Sequence, residues 1–102
     1  IANAIINNKG ERGIIICGSG VGVSIAANKF KVIRAGVCHD NYSAHQCVEH
    51  DNVNVLCLGE RVIGIELARE IIFTFLKAEF TYASRHQKRL NKIRDIENQN
   101  MK

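Results

Sequence analysis

The sequence predicts an α/β domain in which helices cover both faces of a parallel sheet. Two observations carry the prediction. Three short runs rich in Val and Ile lack polar alternation, the pattern of strands buried on both sides. Segments of helical spacing separate them with short connections, and such alternation builds parallel sheets through right-handed crossovers. The 102 residues, 46% apolar and 24% charged, suffice for a single domain with a real core.

In chain order, Ile1 to Asn8 reads as the end of a helix. Gly13–Cys17 (GIIIC) is the first strand, and Val21–Lys29 follows as a helix rich in small residues. Val32–Val37 (VIRAGV) is the second strand. Asn41–Glu49 carries Ala44, Cys47 and Val48 at helical spacing and leads to the third strand, Val53–Leu58 (VNVLCL). Glu66–Lys77 places Leu67, Ile71 and Phe75, with Ile72 and Leu76, on one apolar stripe. A basic helix over about Arg85–Asn98 closes the chain, which has no proline, repeat or low-complexity stretch.

Composition excludes several classes. No run approaches the ~18 uninterrupted apolar residues of a membrane span, and no basic, apolar leader suggests secretion. The chain starts at Ile1 rather than Met, and the expectation is that it began earlier, with part of the fold lying ahead of it. Cys17, Cys38, Cys47 and Cys57 form no C-x-x-C pair, and three sit within or at the end of apolar runs. That is the pattern of buried thiols in a reducing, cytoplasmic compartment rather than a disulfide framework. Cys38, His39, Cys47 and His50 match no zinc-finger spacing, so neither a metal nor a cofactor is predicted. Net charge is +4, and most of the excess follows Arg85. With no nucleic-acid motif or interleaved aromatics, that stretch reads as a solvated helix face or a site for a small phosphate.

In parallel sheets, ligands bind beyond the carboxyl ends of the strands. Here those ends are Cys17-Gly18-Ser19, Cys38-His39-Asp40 and Gly59-Glu60-Arg61. Gly18, Gly20 and Gly22 form G-x-G-x-G, but Val23 stands where a dinucleotide fingerprint needs its last glycine, and no Gly-Lys-Ser/Thr ending makes a P-loop. What remains is a tight turn whose amides point outward at a helix start and stabilise negative charge. The same positive end favours a thiolate at Cys17, serving as nucleophile or general base. Without a Cys-His-Asn protease signature, base is preferred; the plainer alternative is that Cys17 only fills the strand end.

The stretches Cys17–Lys29 (CGSGVGVSIAANK), Ile33–Ala44 (IRAGVCHDNYSA), Glu49–Gly64 (EHDNVNVLCLGERVIG) and Ser84–Ile93 (SRHQKRLNKI) cover almost the whole chain. In order and spacing they closely resemble the sugar-phosphate isomerases of the ribose-5-phosphate isomerase B type. The resemblance implies a three-layer, Rossmann-like sandwich of about five parallel strands in the full protein, three of them here. Residues 1–102 would then be one isomerase domain, N-terminally incomplete, lacking the family's opening strand-helix-strand and its Asp-His pair. The implied reaction is the interconversion of ribose 5-phosphate and ribulose 5-phosphate through an enediolate, in the pentose phosphate pathway.

The resemblance also implies roles. Cys17 is the base moving the proton between C1 and C2, and Gly18, Ser19, Gly20, Val21 and Gly22 cradle the enediolate oxygen. Ser19 stands where the family commonly has threonine, with its hydroxyl keeping the hydrogen-bonding role. His50 matches the proton donor of ring opening, and Asp51 takes the place of a usual asparagine at the substrate. Arg61, Arg85 and Arg89 match phosphate-binding positions, and arginine's fork suits that anion. Arg85 and Arg89, four apart, share a helix face. Family members form dimers with shared active sites, so a homodimer or homotetramer is expected, with Leu90, Ile93 and Ile96 facing the partner. No nucleic-acid or membrane partner is expected.

Alternatives are an isomerase of allose or galactose 6-phosphate, ranked lower because the S-I-A-A-N-K and H-D-N runs are kept, or a non-catalytic phosphate-binding module. By themselves, His39 reads as a helix-start residue and His45 and His86 as surface residues. Arg61 reads as a partner of Glu60 or Glu66, and Asn28 and Lys29 as a helix cap and its solvated neighbour.

Overall fold

β3 (Val55–Gly59) is the middle strand of a three-stranded parallel sheet, flanked by β1 (Gly13–Cys17) and β2 (Ala35–Val37). The computed structural model describes residues 11–101, so the helix end expected at Ile1 to Asn8 lies outside the described residues. Four helices alternate with or follow the strands: α1 (Val21–Ala27), α2 (Asn41–Asp51), α3 (Ile65–Lys77) and α4 (Ser84–Asn100).

Every residue of β3 is buried, which explains its continuous apolar run. Successive side chains point to opposite faces, so the strand feeds two cores. Leu56 and Leu58 pack with Ala44, Cys47 and Val48 of α2 and Ile71 and Phe75 of α3. Val55 and Cys57 face the other way, against Ala27 of α1 and Ile33, with Ile15 and Val23 beside them. Helices therefore cover both faces, and the expected three layers are present. Burial pushes the Cys57 thiol up to about 11, and the charges of Cys17 and Cys38 add to it.

The register levels the strand ends. Cys17 pairs with Gly59 and Val37 with Cys57, so the segments after all three strands emerge on one edge. The pairing runs on past β1: Glu60 N–H donates to Cys17 O at 2.7 Å and Arg61 N–H to Gly18 O at 3.1 Å.

The second strand is shorter than the expected Val32–Val37. Val32 has φ 65°, a left-handed conformation costly for a β-branched residue, and it turns the chain before the ladder begins. Its N–H donates to Glu97 Oε1 at 2.6 Å, and its carbonyl accepts from Asn54 Nδ2 at 2.9 Å. Asn28 does more than cap α1. It donates to Ala35 O at 3.0 Å and accepts from Ala35 N–H at 2.7 Å, acting as a surrogate strand partner for the start of β2.

The helix boundaries follow local chemistry. Asp40 caps α2 by accepting from Ser43 N–H at 2.7 Å, and the Ser43 hydrogen bonds hold its carboxyl below the ordinary range. Asn52, at φ 51°, ends α2 in the left-handed region. Arg12 serves the far end of α3, donating to Phe75 O at 2.7 Å and Ala78 O at 2.6 Å. These satisfy carbonyls that a helix C-terminus leaves unpaired.

Candidate active site

The first group of site residues is assembled by the β1–α1 turn. Gly20, at φ 83°, reverses the chain where a side chain would be strained. A Cβ there would also come within 3.2 Å of the Leu58 backbone, so the turn lies directly on the end of β3. The reversal brings Gly20 N–H to 3.1 Å from Cys17 Sγ. Ser19 Oγ accepts from Val21 N–H at 3.3 Å. The first helical hydrogen bond runs from Ser24 N–H to Gly20 O at 3.2 Å, so the amides of Gly22 and Val23 ahead of it have no helical acceptor. The thiol is half-exposed, open to a ligand yet held by its own turn.

Arg61 joins this group. It is exposed, and its Cδ and Nε lie 3.8 Å from where a Cβ on Gly18 would stand. The side chain thus runs over the glycine turn, and among the described residues it makes no ion pair with Glu60 or Glu66; Glu66 pairs with Arg69 at 3.9 Å. His39 is half-buried rather than a simple helix-start residue. Its Nε2 accepts from Gly59 N–H at 2.9 Å and fixes the strand end beneath the turn. His45 is a surface residue paired with Glu49 at 3.1 Å.

The second group gathers elsewhere. α2 starts just after β2 and runs back toward the start of β3, so His50 and Asp51 lie at the amino edge of the sheet. His50 stands nine residues beyond Asn41, roughly 14 Å along the helix from the edge that holds Cys17. Gln46 Nε2 donates to His50 Nδ1 at 3.0 Å, and Glu49 Oε1 lies 3.5 Å from its Nε2. Arg85 and Arg89 are exposed on the first turns of α4 beside this histidine.

His86 corrects the expectation of a surface residue. It is 2% exposed and stacks on His50, with ring centroids 4.1 Å apart and planes inclined by 24°. Its Nδ1 lies 2.6 Å from Thr81 Oγ1, and its Nε2 accepts from Arg85 Nε at 3.2 Å. Burial lowers its pKa, and the charges of His50, Arg85 and Arg89 lower it further, against Asp51. A sequence signal existed: His86, Leu90 and Ile93 stand at i, i+4 and i+7, the spacing of a buried face. Ile93 and Ile96 remain largely exposed, leaving that end of α4 uncovered within one chain.

One chain thus brings together Cys17, Gly18 to Gly22 and Arg61, and separately His50, Asp51, Arg85 and Arg89, but does not join the two groups. Among the described residues, no cluster of three His, Cys, Asp or Glu is placed to hold a metal ion, and no helix is long and apolar enough to cross a membrane.

These features define a class first: parallel α/β proteins with a glycine turn at the carboxyl end of a strand, where such sheets usually bind ligands, here with a thiol inside the turn. Within it, the chain belongs to the ribose/galactose isomerase family, whose model matches residues 1–93. It is 47% identical over 97 residues to ribose-5-phosphate isomerase B of Escherichia coli, covering 95% of this chain and 64% of that one. It is 52% identical over 80 residues to a D-erythrulose-4-phosphate isomerase of Pectobacterium atrosepticum, covering 78% of this chain and 53% of the relative. The solved structure of Clostridium thermocellum ribose-5-phosphate isomerase B superposes with a TM-score of 0.93 at 49% identity, over 97% of this chain and 66% of that one. The chain spans about two thirds or less of the length of these relatives.

Proposed function

We propose that the chain is the larger part of an aldose–ketose isomerase that interconverts ribose 5-phosphate and ribulose 5-phosphate. The observation that carries this reading is the hydrogen bond from Gly20 N–H to Cys17 Sγ at 3.1 Å. It sets a thiol beside amide donors in one turn, which supports the reading because a base and an oxyanion stabiliser are the two parts an enediolate pathway needs. Cys17 takes the proton from C2 of the open-chain aldose and returns it to C1, while the proton on the C2 hydroxyl passes to O1. The turn from Gly18 to Gly22 carries the enediolate oxygen, and Ser19 adds its hydroxyl. His50 protonates the ring oxygen when the furanose opens, with Asp51 next to it at the sugar. Arg61, Arg85 and Arg89 hold the phosphate.

Because the two groups lie on opposite edges of one chain, a complete site draws Cys17 and its turn from one copy and His50, Arg85 and Arg89 from another. The exposed Ile93 and Ile96 on α4 suit such an embrace. A homodimer or homotetramer is the expected assembly, with a cytoplasmic location.

The test is turnover by the purified full-length protein, offered ribose 5-phosphate, allose 6-phosphate, galactose 6-phosphate and erythrulose 4-phosphate in parallel. Preference for the pentose is expected. Faster conversion of a six- or four-carbon sugar phosphate reassigns the substrate within the family. Cys17→Ala abolishes turnover with phosphate binding retained. An unchanged rate in that variant removes the thiol mechanism, and binding without turnover of any sugar phosphate by the unaltered protein favours a non-catalytic phosphate-binding module.

A further inference from the structure

The strongest unexplained feature is the buried imidazole under His50. We propose that His86 is a positioning residue for the ring-opening acid, a neutral plate that holds the His50 ring in its working orientation; the inference rests on the isomerase reading for His50. The hydrogen bonds fix both tautomers. Arginine Nε–H can only donate, so His86 Nε2, 3.2 Å from Arg85 Nε, is an acceptor. The proton of the neutral ring is then on Nδ1 and is donated to Thr81 Oγ1 at 2.6 Å.

Thr81 is itself anchored. Its N–H donates to Glu49 O at 3.1 Å, and its Oγ1 also accepts from Ala83 N–H at 3.2 Å. Protonating His86 would set Nε2–H against Arg85 Nε–H in a partly buried contact. The charged and titratable groups acting on it are Arg85 and Arg89 from α4 and His50 and Asp51 from α2.

The same logic applies to His50. Gln46 Nε2 donates to its Nδ1, so the proton of the neutral ring lies on Nε2, the nitrogen that faces Glu49 Oε1 at 3.5 Å and would turn to the substrate. Two stacked imidazoles in opposite tautomers keep the acid proton on one ring and one nitrogen. A second titrating ring 4.1 Å away would repel the charge on His50 whenever both were protonated. A neutral His86 removes that repulsion and fixes the ring plane.

Nitrogen NMR of the unaltered protein tests the arrangement without substrate. The expected spectrum shows His86 protonated on Nδ1 and resisting a second proton to lower pH than an exposed histidine does, and His50 protonated on Nε2 when neutral. A His86 protonated on Nε2, or one that titrates like an exposed histidine, overturns the proposal. Kinetics test the role. Ribose 5-phosphate must open a ring, whereas ribulose 5-phosphate, with O5 esterified, cannot close a furanose.

His86→Leu is expected to lower kcat from ribose 5-phosphate at least about tenfold more than kcat from ribulose 5-phosphate, with KM changed less than about twofold. His86→Phe, which restores the plate, recovers part of the loss and the upfield ring-current shift of the His50 protons. Equal loss in both directions, or no recovery in the Phe variant, overturns the positioning role. If the unaltered protein converts neither pentose phosphate, the isomerase reading fails, and the NMR arm still decides the tautomer pair by itself.

Discussion

Replacing Gly59 by Ala probes the contact between the central strand and the glycine turn. A Cβ at position 59 would stand 2.7 Å from both C and O of Ser19 and 2.8 Å from its Cα. All three are backbone atoms, so no rotamer change relieves the clash. Ordinary contact starts near 3.4 Å, and the turn must therefore retreat by about 0.7 Å. Ser19 lies between Cys17 and Gly20, so the retreat is transmitted to the 3.1 Å hydrogen bond on the sulfur. A 1 Å misplacement of a reacting group costs about a hundredfold; Gly59→Ala should lower kcat by roughly ten- to a hundredfold. Overpacking of this kind also costs about 1–3 kcal/mol of stability. Thermal unfolding and steady-state turnover measure the two effects. Gly22→Ala, whose Cβ meets nothing within 4 Å, should leave stability unchanged or raise it by up to about 1 kcal/mol. Wild-type kcat and Tm in Gly59→Ala would refute the steric account, as would an equal stability loss in Gly22→Ala.

Arg12→Ala should cost about 1–3 kcal/mol in urea unfolding without altering turnover, because it strips donors from the carbonyls of Phe75 and Ala78. Iodoacetamide should add one adduct per native chain, at half-exposed Cys17, since Cys38, Cys47 and Cys57 are buried; mass spectrometry before and after denaturation checks this. His86 has a lowered pKa, so below about pH 6.5 the unfolded chain binds a proton that the native ring resists. Stability should fall as pH drops through that window, and less steeply in His86→Leu; identical slopes in urea titrations would contradict the assignment. Mixing inactive Cys17→Ala and His50→Ala chains under exchange conditions should restore about a quarter of wild-type turnover, because mixed pairs regain one intact site. No recovery would place both residues in one chain's site.

The sheet was readable because β3 is apolar on both faces, a pattern that needs no knowledge of neighbours. Cys17 and the glycine turn were equally legible, as consecutive residues at a strand end build the whole contact. The second strand reads three residues too long because Val32 favours β structure locally, while Asn54 and Glu97, distant in sequence, hold it left-handed. The burial of His86 is hidden in the sequence for a similar reason. Its flanking Arg85, Lys88 and Arg89 advertise solvent, and burial comes from Thr81 and His50 on other segments. The separation of His50 from Cys17 follows from the antiparallel course of α2, which spacing along the chain does not reveal.

Holding Cys17, its turn and Arg61 on one edge of the chain, and Arg85 and Arg89 on the other, has a consequence for substrate choice. On the shared-site reading, Arg61 grips the phosphate from the copy that holds Cys17 while Arg85 and Arg89 reach it from the other, so the gap the sugar fills depends on how the copies dock. The quaternary arrangement then acts as a ruler. A shift of about 1.5 Å along α4, one residue's rise, is close to the length of one carbon–carbon bond. Chain-length preference could thus be retuned at Ile93 or Ile96 without changing a single group that performs the chemistry.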